Sequence, residues 1–251
     1  MKLGAQLYTV REFCKTQKQL IDSLNRVREI GYSCVQLSGV GKYNAKEIKA
    51  VCDRLGLEIA LTHTESDRIL GDTQAVIAEH KDMGCKYVGL GSMPKNYRSF
   101  SKLPEFYQNF KRAVNEITQS GLTFVYHNHA FEFEKQGPKT MLENLIELFG
   151  STEIGIVLDT YWVHYAGASV LKWIDKLAGR LDCIHLKDMG ITKGEKVMKP
   201  VLSGNMDFDS IIPALQKAGT KYALVEQDTC ECDPFEALKI SFDNLQKYDW
   251  E

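Results

Sequence analysis

The chain has 251 residues, of which 44% are hydrophobic and 25% charged, and its formal net charge at pH 7 is -2. That length admits one large β/α barrel or two smaller domains, and that hydrophobic share is enough to bury a sizeable core. The near-neutral balance, the lack of a dense Lys/Arg run and the lack of any apolar stretch of bilayer length argue against nucleic acid or a membrane as partner.

Seven cysteines, scattered through apparent strands and helices, do not read as a disulfide framework. Residues 1–8 enter a strand pattern directly, without the basic segment and apolar run of a signal peptide, so a cytoplasmic protein with reduced thiols is expected. Along the chain, short β-branched runs alternate with segments of helical period about eight times. Strands are predicted at 3–8, 34–37, 58–63, 87–90, 122–127, 154–159, 183–187 and 223–226. Helices are predicted between them, at 19–30, 45–55, 75–83, 106–119, 141–149, 171–177, 208–218 and 234–246. In the first, Leu20, Leu24, Val27 and Ile30 recur at spacings of three and four, and Gly31 stands where a helix-ending glycine belongs. Strands alternating with helices give parallel β/α units. Eight of them in this length, with no Pro/Gly/Ser-rich linker, predict a single (β/α)8 TIM-barrel domain over 1–251. The longest connections, 188–207 and 91–102 together with the one after the fifth strand, should form the rim of its mouth.

The stretch 122–134, LTFVYHNHAFEFE, runs from a buried-strand pattern into His127, Asn128, His129, Glu132 and Glu134. Strand ends of a parallel barrel converge on one crevice, so the other ends matter as much. They offer His63 and Glu65 after the third strand, Asp159 after the sixth, His185, Lys187 and Asp188 after the seventh, and Glu226 and Asp228 after the eighth. Carboxylates gathered this closely need a cation, because like charges otherwise force protonation. An oxygen-rich site with one or two imidazoles suits one divalent ion: Mn²⁺, Mg²⁺, Co²⁺ or Zn²⁺.

Six segments carry a resemblance: GAQLYTVR at 4–11, YHNHAFEF at 126–133, LDTYWVHYAG at 158–167, HLKD at 185–188, SGNMDF at 203–208 and LVEQD at 224–228. Through them the chain resembles the sugar phosphate isomerase/epimerase family, with its xylose isomerase-like barrel, which also includes inosose dehydratases, ketose 3-epimerases and endonuclease IV. The resemblance implies metal ligands from the last four strands: Asp159, His185 and Glu226, with Glu132 or His127 from the fifth. Glu132 is preferred because it keeps a carboxylate and frees His127 and His129 for proton transfer. Endonuclease IV-like members carry extra histidines, one of them where this chain has Trp162, so DNA cleavage is not expected.

The implied chemistry is proton abstraction next to a ketone, through an enediolate stabilised by the metal. Glu226 would serve as ligand and as acid/base, opposite Glu132 or the His127/His129 pair. Lys187 would hold or polarise a substrate oxygen. His63, Gln6 and Trp162 complete the expected substrate contacts. The expected substrate is a small ketose, inosose or keto-sugar, unphosphorylated, since neither a glycine-rich phosphate loop nor a strand-end Arg cluster is present. A dehydratase or lyase on the same site, and a barrel that binds sugar without turning it over, stay open, as does homo-oligomerisation.

Overall fold

A computed structural model of the chain, describing residues 1–150 and 154–251 in full, has eight parallel strands closed into one barrel. They are β1 (Lys2–Gln6), β2 (Cys34–Leu37), β3 (Glu58–His63), β4 (Tyr87–Leu90), β5 (Thr123–His127), β6 (Gly155–Asp159), β7 (Cys183–Leu186) and β8 (Tyr222–Val225). Closure comes from β1, which pairs with β2 on one side (Gln6 with Gln36) and with β8 on the other (Lys2 with Tyr222). Its Gly4 lets the strands approach: a Cβ there would sit 2.5 Å from Cys34 Sγ.

The helices form because each carries one apolar stripe and a stop. In Gln17–Ile30 the residues Leu20, Leu24 and Val27 are buried, Thr16 and Gln19 exchange a capping box, and Gly31 (φ 122°) ends it. Such stripes pack on the outward faces of the strands and make up most of the core. Inside the barrel a smaller cluster, with Cys34, Leu61, Tyr87, Val125, Val157 and Leu224, plugs the lower half. Above that plug the buried residues turn polar. Gln6, Gln36, His127, Asp159, His185 and Lys187 all stand at or just past strand ends.

Several segments differ from the sequence expectation. The first strand stops at Gln6 instead of Tyr8, because Gln6 Oε1 accepts the Tyr8 amide at 3.1 Å and starts the 3-10 turns of Leu7–Phe13. The stretch expected as a long loop after β7 contains an antiparallel hairpin, Asp188–Thr192 with Glu195–Lys199. Its two-residue turn, Lys193-Gly194, has φ of 52° and 85°, the positive pair that tight hairpins need. Unexpected short helices also follow β3 (Ser66–Gly71) and β6 (Thr160–Tyr165). All seven cysteines are free, and among the described residues no helix is long and apolar enough to cross a membrane.

Candidate active site

Four successive strands end in His127, Asp159, His185 and Glu226, and each offers one ligand atom within 4.8 Å of the others. All four are buried. His127 Nδ1 donates to the Gly91 carbonyl at 2.9 Å, which leaves Nε2 as an acceptor 3.3 Å from Asp159 Oδ2. His185 Nε2 donates to Gln36 Oε1 at 2.7 Å, which turns the acceptor Nδ1 onto Glu226 Oε2 (3.0 Å) and Asp159 Oδ2 (3.8 Å). That Nδ1 has no hydrogen-bond partner. When the imidazoles are neutral, lone pairs thus face carboxylates from two sides, an arrangement that repels until a proton or a metal ion lies between. Outward hydrogen bonds that fix the imidazole tautomer are also what orients metal-ligating histidines. The donor set therefore fits a divalent ion.

The backbone holds these groups in place. Asp159 spends Oδ1 on the Trp162 amide (3.0 Å), capping the following helix, so Oδ2 is the oxygen left for the cluster. Asn128 Oδ1 accepts the Asp159 amide at 3.0 Å and ties the end of β5 to that of β6.

The strand-five position belongs to His127, and Glu132, preferred from the sequence, lies outside the cluster. The 3-10 turn Phe131–Phe133 buries Glu132 completely, with Oε1 accepting from Tyr126 OH (2.6 Å) and Oε2 from the His129 amide (2.8 Å). Both oxygens are occupied, one by a side chain of β5 and one by the backbone just after it. Burial pushes this carboxyl up to about 7.

Lys187 enters the same group from beyond β7. Its Nζ lies 3.1 Å from Asp159, 2.9 Å from Glu226 and 3.0 Å from Asp228. With neutral imidazoles, three carboxylates face one ammonium, and two negative charges remain in excess. Burial alone would raise Asp159 and Glu226, but the Lys187 ammonium and the neighbouring imidazoles outweigh it and keep both well below the usual carboxylate range. Asp228 goes the other way: burial, then repulsion from Glu226, pushes it up to about 6. His63 is lowered by burial and by His127, His127 by burial and by His185, and His129 is pushed down to about 3 by burial and by His127. His185 departs from them. Burial would lower it, yet Glu226 and Asp159 hold it above its ordinary value, as they would favour any cation at that point.

Over the cluster opens a cavity of about 460 Å³, walled by His63, His127, His129, Lys187, Glu226 and Asp228 together with the loop after β4. Polar atoms without partners gather around it. They are His63 Nε2, whose other nitrogen meets Ser38 Oγ at 3.0 Å, and His129 Nδ1. Trp162 Nε1 is another; its ring packs 5.6 Å from that of His129 and 5.7 Å from Lys187 Nζ, beside the cavity wall. Gln6 is fully buried with Nε2 free, and it too stands off the wall. Buried groups left this way need a polar ligand or water.

Asp228, Asn128 and Gln36 acquire tasks that the sequence did not assign them. The parity of a strand offered a signal for Asp228, two residues beyond Glu226 and so on the same face. No comparable signal marks Asn128, whose neighbours His127 and His129 dominate the stretch.

A parallel barrel with an acid and imidazole cluster at its C-terminal mouth has the layout of an enzyme active site. Residues 24–248 match the xylose isomerase-like TIM barrel family, and the chain belongs to it. An inosose dehydratase of Geobacillus kaustophilus is 23% identical over 220 residues, covering 78% of this chain and 68% of the relative. A sugar phosphate isomerase/epimerase from Parabacteroides distasonis superposes with TM-score 0.80 at 21% identity, covering 99% of both chains. An L-ribulose 3-epimerase superposes with TM-score 0.75 at 18% identity, covering 98% of this chain and 93% of that one. All three carry the names of enzymes.

Proposed function

We propose that the chain is a divalent-metal-dependent isomerase or epimerase of a small ketose, inosose or related keto-sugar, working by proton removal next to a ketone. The observation that carries this reading is the pair of imidazoles, His127 and His185, whose acceptor nitrogens are turned onto Asp159 and Glu226. These four residues would hold Mn²⁺, Mg²⁺, Co²⁺ or Zn²⁺. Bound there, the ion supplies positive charge to a carbonyl and a neighbouring hydroxyl oxygen, which favours the enediolate left by proton removal. Glu226, kept ionised at the cavity wall, takes the proton from carbon. His129, on the cavity wall with Nδ1 unpartnered, stands as the second group to accept and return it. Lys187 donates to a substrate oxygen, and His63 Nε2 meets a hydroxyl. The seven free thiols fit a reducing, cytoplasmic setting.

A dehydratase on the same site is the second reading, favoured by the inosose dehydratases among the relatives. It requires a general acid at the leaving hydroxyl. His127 and His129, both on the cavity wall, are the groups placed to supply it. Incubation with a panel of ketoses and inososes in D2O separates the cases. Recovered sugar carrying deuterium next to its carbonyl supports the isomerase or epimerase, and loss of water supports the dehydratase. Sugar bound without exchange would leave a binding barrel.

A further inference from the structure

Among the described residues Lys187 is the one Lys or Arg that is fully buried, and its three partners are not equivalent. Asp159 Oδ2 and Glu226 Oε2 are also the oxygens that face His127 Nε2 and His185 Nδ1, at 3.3 and 3.0 Å. Asp228 offers no atom to the four-residue cluster, and its side chain is 23% exposed against 0% for Asp159 and 5% for Glu226.

An ammonium and a divalent ion therefore need the same two oxygens. A metal bonded to Asp159 Oδ2 at about 2.1 Å would lie within roughly 5 Å of Nζ, since that oxygen is 3.1 Å from it. Like charges so close in a dry site repel strongly. Lys187 has a long, flexible stem and a second seat within reach, Asp228 Oδ1, at 3.0 Å. We propose that Lys187 and the divalent ion compete for Asp159 and Glu226, and that Asp228 is the seat that draws the ammonium aside when the ion binds. The inference rests on the cluster being a cation site. It makes Lys187 and Asp228 opposed regulators of occupancy: one resists the ion, the other relieves the resistance. Both line the cavity, so the displaced ammonium remains beside the substrate.

The test is a double-variant cycle on Mn²⁺ affinity, measured by calorimetry on metal-stripped protein, with circular dichroism to establish that each variant is folded. Lys187→Gln is expected to bind Mn²⁺ about tenfold more tightly than the wild type, and Asp228→Asn several-fold more weakly, within the usual range for coupled neighbours. The Asp228→Asn effect should vanish when Lys187→Gln is already present. Equal loss in both backgrounds would make Asp228 a direct contributor to the ion and overturn the proposal, as would a folded Lys187→Gln that binds no more tightly. Should Lys187→Gln not fold, Asp228→Asn alone retains the test, because unchanged or tighter binding by it contradicts the proposal. Absence of Mn²⁺ binding in every form, the wild type included, would instead contradict the cation site itself.

Discussion

The two ends of the barrel use polar residues in opposite ways. At the lower end Lys2 meets Glu58 at 2.5 Å with Tyr222 OH on the same carboxylate, while Tyr87 OH (2.6 Å) and Lys221 (3.0 Å) share Asp182. Each carboxylate there has its own ammonium and its own phenol, and the charged side chains are between 32% and 53% exposed. At the mouth the corresponding groups are buried, acceptors face acceptors, and carboxylates outnumber the cation. Polar residues that are satisfied close a barrel. Those left unsatisfied together, in a cavity, await something to bind.

That contrast can be broken first at Glu226. Glu226→Gln should lower turnover about 10²- to 10⁴-fold, the usual scale for a lost acid/base, and lower the melting temperature modestly, because Lys187 and His185 lose the carboxylate that they hold ionised. Initial rates and a thermal scan on the same sample check both halves, and a large loss of stability would argue that Glu226 is structural.

Glu132 sharpens the comparison as a buried carboxyl of the mouth without a cation. With its folded value raised to about 7, it keeps its proton between pH 4.5 and 7 while the unfolded chain has released it, so stability falls as pH rises through that window. The loss is complete above pH 7 and on the order of 3 kcal/mol. Denaturant unfolding of wild type and Glu132→Gln at pH 5 and pH 8 should show it only in the wild type, and parallel behaviour would contradict the burial argument.

Asn128→Ala removes the tie from Asn128 Oδ1 to the Asp159 amide, and metal affinity or activity should fall about 10- to 100-fold with the fold intact. Equilibrium dialysis against Mn²⁺ reads it directly. The smallest effect belongs to the lower end: Lys2→Ala should cost no more than about 1 kcal/mol, as exposed ion pairs do, and leave turnover unchanged.

The barrel was legible because its signals are local and repeated: strand runs, helical stripes such as Leu20, Leu24 and Val27, and glycines such as Gly31 at helix ends. The members of the mouth were legible as residues at strand ends, and the family resemblance singled out Asp159, His185 and Glu226 among them. Partner choice was not. Whether His127 or Glu132 fills the fifth-strand position depends on the turn at Phe131–Phe133, where the Tyr126 hydroxyl and the His129 amide take both Glu132 oxygens. Five residues of spacing do not encode that. The Lys193-Gly194 hairpin was hidden for a related reason, as its strands pair only with each other and the second, Glu195–Lys199, buries only Met198.

The most direct measurement is anomalous diffraction from crystals grown with Mn²⁺. A single peak at bonding distance from His127 Nε2, Asp159 Oδ2, His185 Nδ1 and Glu226, with Glu132 still bound to Tyr126, is the predicted result. A peak coordinated by Glu132, or no ordered ion among these four residues at saturating Mn²⁺, would contradict the site as described.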